Sequence, residues 1–414
     1  MRSSGKSSGF SGATRVNRRA VTAGLLGAAL APAVRAAERD STVTLPFANG
    51  ERPLARFAQK RPLILQTSRP PQLETPFGVF DQGLLTPNDA FFVRYHVSGL
   101  PLDLDPATFR LHVSGSVAHE LSLSLRDLQR DFPTAEVVAV NQCSGNGRGF
   151  SQPRVAGGQL GNGAMGNARW RGVPLRAVLD RAGVKPGARQ VVFSGLDQPP
   201  VPTIPEFAKA LDLDHARQDD VLLAWAMNGA ALPFLNGYPL RLIVPGYYGT
   251  YWVKHLSQIS VIDSVFDGYW MAKAYRIPDT DCGCVPPGTK PDHTRPIGKL
   301  NLRSFITSHA DGAVVRAGHD LVLRGIAFDG GSGIAGVEIT GDGGQTWLPT
   351  RLGEDLGRYS FRGWQTALRL EVGSHIIGVR ATSVAGEVQP MTALWNPAGY
   401  RRNSVETIRL EARA

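Results

Sequence analysis

Residues 141–150 read NQCSGNGRGF. They follow the apolar run AEVVAV at 135–140, so the stretch reads as a strand that ends in a Gly-rich turn. Cys143, at the strand end, is the only cysteine among the first 281 residues. A lone cysteine commonly behaves as a small buried hydrophobe. Here it sits where glycines let the backbone approach a bulky ligand closely, which makes it a candidate metal ligand.

Outward from this stretch, short β-rich runs recur: AFFVRYHVSGLP, TFRLHVSGSV, QVVFSG, YPLRLIVPG and ISVIDSV. Between them lie three helical patterns, SLRDLQRDF, PLRAVLDRAGV and IPEFAKALDL, the last with apolar positions marking one face. This mixture predicts an α+β domain over residues 86–295. Residues 37–85 are polar and Pro-rich and predict an extended arm. From 296 to 414 the helical signal vanishes, and strands alternate with Gly/Asp/Ser turns about every ten residues, as in DLVLRGIAFDGGSG and HIIGVRATSVAG. That spacing predicts an all-β, immunoglobulin-like sandwich.

The 414 residues carry a net charge of +10. Six of the 45 bases precede residue 37 in a stretch without an acid, leaving 39 against 35 acids and a net of +4. There is no basic stripe of the kind nucleic-acid binders carry. The first 36 residues read as a signal peptide: paired Arg18 and Arg19, an apolar stretch from Val21 to Val34, and a small-residue site that suggests cleavage after Ala36. Twin arginines point to the route that exports folded, cofactor-loaded proteins, hence to the periplasm. No later segment approaches a membrane span.

Dinucleotide and phosphate-loop glycine motifs, a c-type haem motif, a nucleophile elbow and a zinc helix are all absent. Cys282 and Cys284 read as two loop thiols that can be oxidised together after export. Three polar clusters remain, each at the end of a β-like run: FFVRYH at 91–96, NQCSGNGRGF, and GYYGTYWVKHL at 246–256. They offer a soft thiolate suited to a soft or high-valent metal, and arginines suited to an oxyanion.

These clusters resemble, in order and spacing, the sulfite oxidase family of molybdenum-pterin enzymes. FFVRYH is similar to its Phe-x-Val-Arg-x-His block, CSGNGR to its Cys-Ala-Gly-Asn-Arg-Arg loop, and VLLAWAMNGAALPFLNGYPLRLIVPGYYGTYWVKHL to its pterin block. VEITGDGGQTW and LWNPAG resemble signatures of its C-terminal dimerisation domain. The similarity is greatest to the bacterial periplasmic sulfite dehydrogenases. It implies a mononuclear molybdenum held by one molybdopterin and the Cys143 thiolate, with no haem on this chain. It further implies oxidation of sulfite to sulfate, one-electron transfers to a separate c-type cytochrome, and a homodimer.

By the same resemblance, Arg94 and Arg148 line the sulfite pocket with Tyr275 and His96. Phe92, Val93, Asp197, Asn236, Arg241, Trp252, Val253 and Lys254 hold the pterin, and Arg401 or Arg402 reaches the pocket from the second domain. Three positions depart from the pattern: Gly147 replaces an arginine, Asn236 a histidine and Trp225 a tyrosine. Two other readings stand beside this one, a reductase of oxidised methionine using the same cofactor and a metal-free interaction protein on the same fold.

Overall fold

The computed structural model describes residues 41–101 and 104–414, so the expected signal peptide at 1–36 lies outside the described residues. Thr42–Ala414 form one compact unit. The N-terminal stretch is a five-stranded antiparallel meander, Thr42–Thr44, Glu51–Ala55, Leu63–Ser68, Pro71–Glu74 and Val93–Arg94. Its last pairing sets Gln72 opposite Arg94, so the arm is stitched to the FFVRYH block by backbone hydrogen bonds.

Two sheets carry the first domain. One runs Ala208–Asp212, Gln190–Gly195, Leu256–Ile262, Leu111–Gly115, Leu121–Leu123, with the Leu256 and Leu111 strands parallel. The other runs Ala230–Ala231, Leu222–Met227, Met165–Pro174, Ala135–Gln142, and Arg241–Ile243 also pairs with Leu222–Met227. Ala135–Gln142 pairs with Met165–Pro174 along its whole length, with Gln142 opposite Met165. Full pairing makes this a rigid rail, and Cys143 is the first residue beyond it.

Two of the three predicted helices form. Leu125–Asp131 starts on a capping box, in which Ser124 and Asp127 satisfy each other's backbone N–H groups. Leu175–Ala182 buries Leu175, Val178, Leu179 and Ala182 and stops at Gly183, whose φ of 68° few other residues adopt readily. The third expectation is corrected: in IPEFAKALDL, Ala208–Asp212 is a strand paired with Gln190–Gly195. Three consecutive residues there are buried, Lys209 among them, so the strand is covered on both faces.

Residues beyond 300 form the expected sandwich. A four-stranded sheet (Arg303–Ile306, Leu321–Phe328, Arg362–Leu368, Arg351–Leu352) faces a five-stranded one (Ala313–Arg316, Glu406–Arg413, Gly373–Ser383, Ile334–Thr340, Leu348–Pro349). Leu302, Leu323, Trp364, Val379 and Leu410 meet in its core.

Candidate molybdenum-pterin site

Beyond Gln142 the chain folds back on residues 160–164. Cys143 N donates to Ala164 O (2.9 Å), Gly147 N to Gly161 O (2.7 Å) and Gly149 N to Leu160 O (2.9 Å). Asn146 Oδ1 accepts from Ala164 N at 2.9 Å, closing the turn from the side-chain direction. Gly147 adopts φ 85°, and a Cβ there would lie 2.8 Å from Arg402 Cδ. The stem of Arg402, from the second domain, thus fills the space that a side chain at 147 would need. That accounts for the departure to glycine.

Cys143, the one free cysteine among the described residues, lines a narrow recess. Its walls include Phe92, Arg94, His96, Asn236, Arg241, Lys254 and Tyr275, brought together from three separate stretches of sequence. Phe91, Asn141, Ser144, Leu235, Gly249 and Thr250 complete them. Two arginines, one lysine and no carboxylate line the recess.

At the mouth, Tyr275 Oη lies 2.6 Å from His96 Nε2 and accepts from Arg94 Nη2 at 3.2 Å. Tyr275 holds φ 57°, an uncommon conformation for a bulky residue and one that marks a specified position. Enclosure, then the charge of Arg94, pushes the His96 pKa well below its ordinary value, so the ring is neutral at pH 7. Burial raises the Tyr275 pKa, so the phenol keeps its proton. With Arg94 donating to it, that phenol is set to donate to His96 Nε2. Enclosure opposes the charge of Arg94, but Tyr275 and Cys143 beside it hold its pKa above the ordinary arginine value.

Arg148 is placed differently. Its Nε donates to Ala398 O (2.9 Å) and its Nη1 to Gly158 O (3.1 Å), and its guanidinium lies over Tyr400, 5.1 Å from the ring centre. It does not line the recess. Tyr400 stacks on Tyr275 with 5.6 Å between ring centres and planes 2° apart, so Arg148 acts on the mouth through two aromatic rings. Val93, Asp197, Trp252 and Val253 are buried behind the walls rather than in them. Arg241 lies between Trp170 and Trp252, 4.9 and 5.8 Å from their ring centres, and donates to Asn236 O at 2.8 Å. Lys254 Nζ donates to Arg94 O at 2.7 Å. Burial raises Asp197 and enclosure lowers Lys254, each toward its neutral form, and their mutual attraction opposes both shifts. Arg401 turns away, donating to Cys282 O (3.2 Å) and Asn301 Oδ1 (2.7 Å). Cys282 and Cys284 are joined in a disulfide.

Residues 97–270 match the oxidoreductase molybdopterin-binding domain, and residues 294–411 the Mo-co oxidoreductase dimerisation domain. Sulfite oxidase of Gallus gallus is 35% identical over 358 residues, 81% of this chain and 75% of the relative. The chain belongs to the sulfite oxidase family. Mitochondrial sulfite oxidase of Mus musculus is 34% identical over 84% of this chain, which spans 65% of that relative's length. A nitrate reductase [NADH] of Solanum lycopersicum is 30% identical over 84% of this chain and 40% of its own length. Among solved structures, the sulfane dehydrogenase SoxCD from Paracoccus pantotrophus superimposes with a TM-score of 0.69 at 26% identity, covering 83% of this chain and 87% of that one.

The recess fits the family's cofactor on its own chemistry. Asn141 Oδ1, Ser144 Oγ, Thr250 Oγ1 and Arg241 Nε are buried without a hydrogen-bond partner, and all four residues line it. Unpartnered buried polar atoms are rare in native proteins, and four around one recess call for a polar ligand. Asn236, Arg241 and Thr250 would hold the pterin side, and Cys143 would bind the metal. Two members of the surroundings were not anticipated from sequence. Lys209, fully buried, donates to Trp270 O at 2.7 Å and lies over the rings of Tyr251 and Tyr275 at 4.5 and 5.4 Å. Burial, then Arg276, lowers its pKa to about 7. Tyr400 is the other. A lysine inside an apolar strand was the available signal for the first.

Proposed function

We propose that this protein oxidises sulfite to sulfate at a mononuclear molybdenum held by Cys143 and one molybdopterin, after export to the periplasm. Its electrons would pass singly to a separate c-type cytochrome. The convergence of Arg94, Arg241 and Lys254 with the Cys143 thiol on a recess free of carboxylates carries this reading, because such a site selects an anion. When bound, the cofactor supplies two-electron redox chemistry and oxygen-atom transfer. Arg94 holds and orients the oxyanion through charge-assisted bonds. Protonated Tyr275 and neutral His96 form a donor–acceptor pair at the mouth, able to hold a proton there without adding charge. The matched dimerisation domain, with Val314, Leu348, Val372 and Ile376 exposed on it, supports a homodimer.

The structural likeness to a sulfane dehydrogenase supports a second substrate class, a sulfane sulfur such as a persulfide. The placement of Arg148 outside the recess favours it, since a less charged substrate needs fewer cations. The test is purified protein assayed for molybdenum per chain and for reduction of a c-type cytochrome with sulfite and, separately, a persulfide. Loaded protein that turns over sulfite supports the first reading. Turnover with persulfide alone selects the second, and loaded protein inert to both sinks sulfur oxidation.

A further inference from the structure

Lys60 lies in the N-terminal meander, outside both matched segments, and is 4% exposed. Its ammonium donates to three oxygens: Asn88 O at 2.7 Å, Phe91 O at 2.9 Å and Asn236 Oδ1 at 2.5 Å. Burial lowers the Lys60 pKa to about 7, and the three converging acceptors match the three hydrogens of its ammonium form. Its neighbours anchor the same place. Gln59 Oε1 accepts from Phe234 N at 2.8 Å, and Arg61 grips Asp89 with two bonds of 3.0 and 2.7 Å. Residues 59–61 therefore clip the 234–236 turn to the 88–91 segment.

An ammonium has no acceptor, so it dictates which end of the Asn236 amide faces it. With Oδ1 turned to Lys60, Nδ2 faces the other way and donates one hydrogen to Phe92 O at 3.1 Å. Its second hydrogen has no protein partner among the described residues, and Asn236 lines the recess. We propose that Lys60 is a positioning residue for the cofactor: it locks the Asn236 amide so that a hydrogen-bond donor points into the recess. This restores, through a second side chain, the oriented donor that a charged ring at 236 would supply alone. The inference rests on the molybdenum-pterin reading of the site.

The test uses the full chain purified with its cofactor, comparing wild type, Lys60→Met, Asn236→Ala and the double variant. Molybdenum per chain and pterin fluorescence are followed through prolonged dialysis, alongside melting of the cofactor-free form. Outer partners of a cofactor ligand typically contribute roughly 10- to 100-fold in affinity, so Lys60→Met should release the cofactor about tenfold faster or more. Asn236→Ala should do the same, and the double variant should be no worse than either. Additive losses, or Lys60→Met with wild-type retention, overturn the proposal. Equal lowering of melting temperature with and without cofactor also overturns it, since that marks a purely structural lysine. If Lys60→Met does not fold, Lys60→Gln, which keeps a donor toward Asn236, should hold the cofactor close to the wild-type rate of release, and release tenfold faster from a folded Gln variant overturns the proposal. Wild-type protein that binds no molybdenum overturns the site reading itself, a separable outcome.

Discussion

The recess around Cys143 and the C-terminal sandwich differ in where their buried polarity is placed. Behind the recess, Lys60, Lys209, Glu74 and Asp197 are all buried, and four polar atoms in its walls lack partners. The sandwich also leaves buried polar atoms without partners, Trp364 Nε1, Arg303 Nε and Asn403 Oδ1 among them, but none of these residues lines the recess, and Arg303 meets Glu406 at 2.8 Å on the side that reaches Asn162 of the first domain. Desolvated polar groups oppose folding unless they are paired. Four such atoms gathered in the walls of one recess mark a region organised around a ligand.

The largest effect expected is from Cys143→Ser. A hydroxyl is a poor substitute for a thiolate at a soft or high-valent metal, so activity should fall at least ~100-fold while the melting profile of the cofactor-free protein stays near wild type. A Ser variant with molybdenum and substantial turnover would erase the contrast between the two regions. In the sandwich the opposite outcome is expected. Leu323→Ala empties a fully buried position and should lower stability by roughly 2–5 kcal/mol in denaturant titration, with turnover per bound molybdenum unchanged.

Within the site, Arg94 and Arg148 should separate. Arg94→Gln removes a charge from the recess and should lower kcat/KM for the anionic substrate by about 2–4 kcal/mol, roughly 30- to 1,000-fold, mainly through KM. Arg148→Gln acts from outside the recess, through Tyr400 and the backbone of Ala398 and Gly158, and should lower it by about tenfold or less. Equal effects in kinetics normalised to molybdenum would mean that Arg148 swings into the recess.

The smallest effect concerns Glu74, which accepts from Gly161 N (3.1 Å) and Gly163 N (3.2 Å), behind the Cys143 turn. Burial raises its pKa from 4.5 to about 7, against the pull of those two bonds. The folded protein thus holds a proton that the unfolded chain releases. The associated stability is full below pH 4.5 and is lost as pH rises to 7, by on the order of 1–3 kcal/mol. Glu74→Gln should flatten that part of the pH–stability curve; an unchanged slope would assign it to another group.

Much of the fold was legible locally. The run at 135–140, the glycines after Cys143 and the turn spacing beyond 300 each state their conformation within a few residues, because strand pairing and left-handed turns restrict side chains at short range. The same resemblance that pointed to Cys143 also named Arg94, His96, Asn236, Arg241, Lys254 and Tyr275, all of which line the recess. The strand at 208–212 was misread because its apolar spacing suits a helix when taken alone, and only pairing with 190–195 decides the matter.

By itself, then, the sequence determined the strand-and-turn grammar, the lone thiol at a strand end and the two-part division of the chain. Tertiary structure alone decided which charges face the ligand. Arg148 is drawn to Tyr400 and Ala398, some 250 residues away, while Lys60 reaches Asn236 across 176. Side-chain direction across such separations depends on how sheets twist and stack, and no short-range pattern encodes that.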